Sequence, residues 1–415
     1  MSDATSSDLG RPEARPLLAV FGATFFIRFA FGITTAIFAS YLLGQSQGLG
    51  GAALGTVGLV IAMSPIGEFT TVLFSGAAAD RWGRWQILVA GMGAAAILTA
   101  LVSTTRSPIA LGAINLSFGV ASGAILASSL ALVADASGPE ERGLEMGRFD
   151  AMNLSGWVLG FAFGLAALTT LPNSALGATF LLSAAVLVAG VLFILLAIRG
   201  HAPWSSRRPR IPRLLAQALR RPEVWWVTLP WLTIYMLIGT ALAFLGASSG
   251  AVGIPPIYLA LVIGVGGILL VFTQPTFGRW SDRFGRIRLL GVGTTGFVVV
   301  MVAAALIASY GALPILLAVA GIGVVGALAY GPAALAALTD LSASLTRATT
   351  MAIYSLTISL GMVLGLVVST TLYDVLGTLG LDLFFGGISA ALVAMTLFQW
   401  QRIGSGALKL TTPAR

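Results

Sequence analysis

Cysteine is absent from the 415 residues, and histidine and lysine occur once each, at His201 and Lys409. Without cysteine the chain can have no disulfide, thiolate nucleophile or cysteine metal site. A single histidine excludes a histidine metal cluster. Because His201 lies in a polar stretch, a histidine proton relay within a membrane is excluded as well. Charge is scarce: 9% of residues are charged and 57% hydrophobic, about a third of the charged share of a soluble domain. No G-x-x-x-x-G-K-[ST] loop is present, so ATP hydrolysis is not expected of the chain. The expectation is no enzyme, no metal and no cofactor.

What the chain has instead is long apolar runs. Twelve occur, at residues 17–43, 54–79, 85–105, 108–134, 147–170, 174–199, 224–246, 256–277, 287–309, 313–339, 349–373 and 379–400. A helix rises about 1.5 Å per residue and the hydrocarbon layer is about 30 Å thick, so about twenty apolar residues cross it. The first run is too long for a signal-peptide core and reads as a retained span. The predicted fold class is therefore an all-α membrane protein of twelve transmembrane helices.

The basic residues fix the expected orientation. With both termini cytoplasmic, 21 of the 23 lie in inner segments, Arg106 lies outside and Arg28 lies within a span. This is the positive-inside pattern, and it accounts for the net charge of +8 without nucleic acid. The longest polar break, 199–223, divides an N-terminal six-helix bundle at 1–198 from a C-terminal one at 224–415. In the linker, Leu214, Leu215, Ala218 and Leu219 share one helical face. The linker reads either as a helix at the inner membrane surface or as a solvated basic connection.

The two halves are copies. Gly76-Ala-Ala-Ala-Asp80-Arg81-Trp82-Gly83-Arg84 returns 202 positions later as Gly278-Arg-Trp-Ser-Asp282-Arg283-Phe284-Gly285-Arg286. At a spacing of 205, Asp135 answers Asp340, Arg142 answers Arg347, Met146 answers Met351, Gly156 answers Gly361 and Gly160 answers Gly365. Small residues four apart let helices approach closely in lipid. Arg84 lies four positions past Asp80, within reach of that carboxylate or of nearby helix carbonyls.

Twelve spans in two halves, a central linker and the G-x-x-x-D-R-x-G-R loop after spans 2 and 8 resemble the major facilitator superfamily over essentially the whole chain. The resemblance implies two pseudo-symmetric six-helix bundles, alternating access and a substrate site between the halves near mid-membrane. It implies cytoplasmic gating by Gly76, Asp80, Arg81, Gly83, Arg84, Gly278, Asp282, Arg283, Gly285 and Arg286, with a secondary gate at Asp135, Arg142, Asp340 and Arg347. Antiporters of the superfamily carry a glycine-rich span 5 with a Gly-Pro pair. Here Phe161 stands at the proline position, so Gly156, Gly160, Gly361 and Gly365 read first as packing residues.

Two charges lie inside the membrane. Arg28 in span 1 and Glu68 in span 2 fall at similar depth because the spans run in opposite directions, and a charge there is paired or faces water. Glu68 is the candidate for proton coupling, since desolvation favours its neutral form. Arg28 is a candidate substrate ligand, its guanidinium suited to a carboxylate or phosphate. A permanent bridge between the two is the structural alternative. Asn115, Tyr235 and Tyr330 are further substrate candidates, because spans 4, 7 and 10 face the pathway in the superfamily. Asp150 and Arg148 read as interfacial.

The expected function is secondary transport of a small molecule across the cytoplasmic membrane with the proton as coupling ion, efflux of drugs or metabolites being favoured. Proton-coupled uptake of an organic anion or sugar is the alternative; a transporter-derived sensor and an intramembrane enzyme are remote ones. The expected partners are the substrate, the proton and the lipid bilayer around a monomer.

Overall fold

The computed structural model describes residues 14–46, 54–136, 142–172, 175–197, 220, 222–248, 256–310, 314–341 and 347–404. Among the described residues there are helices and no strand. Helices α1 (Ala14–Ser46), α2 (Leu54–Trp82), α3 (Arg84–Val102), α4 (Pro108–Ala136), α5 (Arg142–Thr170) and α6 (Leu176–Ala197) form the first half. The second contains α7 (Pro222–Ser248), α8 (Pro256–Phe284), α9 (Arg286–Tyr310), α10 (Pro314–Ala327), α11 (Tyr330–Leu341), α12 (Arg347–Leu376) and α13 (Thr378–Gly404). Ten segments have the length and hydropathy to cross a membrane, one of them made of α10 and α11 together. With α2 and α8, each 29 residues long, the crossings number twelve. The linker face of Leu214, Leu215, Ala218 and Leu219 lies outside the described residues.

A helix in hydrocarbon must satisfy its polar groups within the protein. The hydroxyls of Thr24, Thr99, Thr240 and Thr396 accordingly donate to carbonyls one turn back on their own helices. Proline leaves a carbonyl free. Pro230 within α7 removes the partner of the Trp226 carbonyl, which accepts instead from Gln399 Nε2 at 3.4 Å. The tenth crossing breaks between α10 and α11, where Ala329 N bonds to Gly326 O at 3.1 Å in a tightened turn just before Pro332.

The two halves pack by one scheme. α1 lies along α5 as α7 lies along α12, while α2 crosses to α12 and α8 crosses to α5. Each pair becomes the other when the halves are exchanged, which is a pseudo-twofold relation. The turns at Gly83 and Gly285 follow crossings two and eight and so lie at the same end of the bundle. Both glycines have φ of 94°, a backbone region that side chains other than glycine avoid, so each helix pair reverses in a single residue.

The core is divided by depth. Away from these turns, one apolar cluster joins both halves, with Ile33, Phe38, Ile61 and Leu165 packed together with Leu242, Met362 and Leu366. Toward the turns there are two clusters, one per half, around Leu88 and Leu126 in the first and Trp231 and Leu290 in the second. Ile109, Phe272 and Val375 point outward fully enough to meet lipid.

Candidate functional site

The α1–α5 contact positions the first charged residue. A methyl group on Gly156 would lie 2.5 Å from the Phe25 carbonyl oxygen and 3.1 Å from Arg28 Cβ, while one on Gly160 would collide with the Phe29 carbonyl. Backbones this close bring Asn153, one turn before Gly156, to the guanidinium. Arg28 Nε donates to Asn153 Oδ1 at 2.7 Å. On the other side Arg28 Nη2 lies 3.5 Å from Glu68 Oε1, with 14% and 9% of the two side chains exposed. Ser122 of α4 donates to the second Glu68 oxygen at 3.4 Å. The pair is thus formed between the middles of α1 and α2 and hydrogen-bonded on both sides.

Asp150 belongs to this cluster. The sequence places it at the interface, but the structure turns it into the protein, half-buried, where the Tyr354 hydroxyl of α12 donates to its Oδ1 at 3.2 Å. Asn153 is its second hydrogen-bond partner, and Arg28 acts on it through space. The reason is the rotation of α5: residues 150, 153 and 157 fall on one helical face, next to the glycine contact with α1. Arg148, two positions away, points elsewhere and is exposed.

The second half contributes hydroxyls where the first contributes charge. Tyr235 occupies in α7 the position of Arg28 in α1: its Cβ would lie 2.7 Å from a methyl group on Gly361, and a methyl on Gly365 would meet the Met236 carbonyl. Tyr235 stands within electrostatic reach of Asp150, Arg28 and Glu68. Trp231, one turn earlier on α7, packs edge-on against Tyr354 with ring centres 4.9 Å apart.

The remaining candidates divide. Asn115 Nδ2 donates to the Val60 carbonyl at 2.9 Å, and its side chain helps line a cavity of about 360 Å³, counting its open mouth, between the halves. Phe31, Thr34, Phe38, Leu242 and Met362 are among the residues of its wall. Tyr330 is buried, and its hydroxyl donates to the Val227 carbonyl at 2.7 Å, which ties the broken tenth crossing to α7. That bond engages its donor in packing.

In the loop motif, Arg84 Nη1 reaches the Ala131 carbonyl of α4 at 3.0 Å, while Arg286 Nη1 reaches Ser281 Oγ at 3.3 Å within its own loop. Arg283 is exposed and lies over the Phe284 ring. Gly76 and Gly278 sit within α2 and α8. The side chains of Asp80, Arg81, Asp135, Arg142, Asp282, Asp340 and Arg347 lie outside the described residues.

Two contacts across the halves are not foreseen from the sequence. Tyr354 gave one usable signal, since it aligns at the 205 spacing with Phe149, beside Asp150. The other is at the end away from the loop motif, where the Gly55 N–H donates to Asp374 Oδ2 at 2.6 Å across the halves. Sequence spacing carries no sign of it.

The sequence model of the Major Facilitator Superfamily matches residues 20–270 and again 235–409, so that the two matches together span both halves. No curated protein matches the sequence. Solved structures do share the fold. The peptide transporter POT superimposes with a TM-score of 0.70 at 16% identity, covering 96% of each chain. A bacterial homologue of the human lysosomal transporter Spinster, inward-facing and unoccupied, gives 0.68 at 15% identity, over 94% of this chain and 95% of that one. The human organic anion transporter MFSD10 gives 0.61 at 18% identity, over 93% of this chain and all of that one.

Proposed function

Because the chain belongs to the Major Facilitator Superfamily and is thereby a multi-pass secondary transporter of a small molecule, we propose that it exchanges protons for its substrate by alternating access, in the direction of efflux. The observation that supports this reading most is the cluster of one guanidinium and two carboxylates, Arg28, Glu68 and Asp150, at the contact of the two halves. Charges at this depth are costly, and those that occur are paired or face a pathway. With both carboxylates ionised the cluster carries one net negative charge, and one proton makes it neutral. Proton uptake and loss are therefore a natural response of this site to a change in its water access.

The division of the core supports alternation. The halves share one apolar cluster at one end and have separate clusters at the loop-motif end. With that end cytoplasmic, as the arginines favour, the conformation is open inward and both termini lie in the cytoplasm. The Gly83 and Gly285 turns, with Arg84 of α3 bonded to the Ala131 carbonyl of α4, form the cytoplasmic gate.

Efflux of amphipathic compounds suits the aromatic and aliphatic wall around Asn115. Uptake of an organic anion by Arg28 is the weaker alternative, since Glu68 and Asn153 already engage two of its three nitrogens.

The test is proton flux in proteoliposomes. Protein reconstituted in liposomes is expected to move protons only when substrate moves, and Glu68→Gln is expected to uncouple the two. Full gradient-driven transport by Glu68→Gln would remove Glu68 from the coupling role.

A further inference from the structure

Resting on the transporter reading, and naming the cargo it leaves open, we propose that Asp150 is the docking point for an organic cation, which exchanges there with a proton beside the Tyr354, Tyr235 and Trp231 side chains.

The argument begins with how the charges are shared. Arg28 places Nη2 at Glu68 and Nε at Asn153, and acts on the second carboxylate only through space. Asp150 keeps only neutral hydrogen-bond partners, Tyr354 and Asn153, among the described residues. The groups near it are Arg28 from α1, Tyr354 from α12 and Tyr235 from α7, with Glu68 of α2 beside Arg28. α8, also packed on α5, contributes no charge there among the described residues. Among the described residues no guanidinium bonds this second carboxylate, which is half-buried.

Its surroundings define that partner. Trp231 and Tyr354 meet edge to face at 4.9 Å, and Trp231 lies against Tyr330 on its other side at 6.1 Å. Aromatic faces attract cations, and the attraction grows where water is excluded. A carboxylate beside such rings suits a compact positive group on an aromatic or aliphatic body. An anion would face an unpaired carboxylate and a guanidinium already engaged.

The exchange balances in charge. A protonated Asp150 is neutral; when the cation arrives, the carboxyl proton passes to water on the open side and the carboxylate holds the cation. Each therefore excludes the other. Tyr354 belongs to the opposite half, so a cation at Asp150 also takes the place of the hydroxyl that joins α5 to α12. Loading and the relation of the halves become one event.

The test uses full-length protein in detergent with three probes: tetraphenylphosphonium, benzoate and neutral benzamide. Wild type is expected to bind tetraphenylphosphonium, to release one proton per cation in weak buffer, and to bind about tenfold more tightly per pH unit while the site is protonated. Asp150→Asn is expected to weaken binding at least tenfold and abolish proton release. Asp150→Glu is expected to keep both, which separates loss of the carboxylate from loss of the fold. The proposal is overturned if Asp150→Asn binds the cation and releases the proton as wild type does, or if wild type does not bind tetraphenylphosphonium. Transport of benzoate or benzamide by such a protein in liposomes would leave the transporter reading standing; transport of none of the three would count against that reading too.

Discussion

The backbone N–H of Gly55, in the first turn of α2, donates to the carboxylate of Asp374 near the end of α12, at 2.6 Å. A helix N-terminus offers unpaired N–H groups and a partial positive charge, and a carboxylate satisfies both. The bond joins the two halves at the end where their apolar clusters are merged. It is a clasp between copies that the chain separates by more than three hundred residues.

Removing this clasp should favour opening at that end. The absence of cysteine gives a clean background for a single label, Ile61→Cys, in the cavity wall. Adding Asp374→Ala is expected to raise labelling by an impermeant maleimide roughly fivefold, the shift produced by losing about 1 kcal/mol of closing energy. Unchanged labelling would show that the apolar contact alone keeps that end closed.

The Arg28–Glu68 pair makes a prediction about stability that is separate from transport. Glu68→Ala removes the carboxylate paired with the Arg28 guanidinium, and breaking a buried pair from one side costs about 3–5 kcal/mol. The double variant Arg28→Met with Glu68→Leu should recover most of that loss while remaining inactive. Thermal unfolding in detergent checks the first statement and liposome transport the second. A double variant no more stable than Glu68→Ala alone would mean that the pair is not the source of the loss.

The glycine contacts should fail in matching pairs. Gly160→Val and Gly365→Val each push a side chain into a neighbouring helix backbone, Phe29 of α1 in one half and Met236 of α7 in the other. Each is expected to cost about 1–3 kcal/mol by overpacking. Gly160→Val should also reduce transport, because it moves Asn153 away from Arg28. Unfolding midpoints of the two variants that differ widely would contradict the equivalence of the two contacts.

The reversing turns make a sharper comparison. Gly83→Ala and Gly285→Ala each place a side chain at φ of 94°, at a cost of about 1–2 kcal/mol. The two losses should be similar, with Gly83→Ala slightly the larger because Gln86 must also move. A negligible loss at either position would show that the turn relaxes when substituted.

Much of this was legible in the chain. The 202 and 205 spacings marked the duplication, and the apolar runs gave all twelve crossings, the tenth of them broken just before Gly331 and Pro332. Arg28 and Glu68 were placed at one depth because consecutive crossings run in opposite directions and helical rise is constant. Asp150 was misread as interfacial, since depth along a helix does not tell which way a side chain near its end is turned. Tyr330 entered as a pathway residue, yet its hydroxyl is bonded to the Val227 carbonyl.

The sequence by itself determined what depends on local geometry and solvent: the helices, their number, the repeat and the depth of each charge. Hydrocarbon permits only a backbone bonded to itself, and that requirement is met within a few residues of chain. Only the tertiary structure decided the partners across the halves, Tyr354 for Asp150 and Asp374 for Gly55. Those depend on the rotation and tilt of helices set by side-chain packing, in which residues 204 and 319 positions apart come within a hydrogen bond of each other.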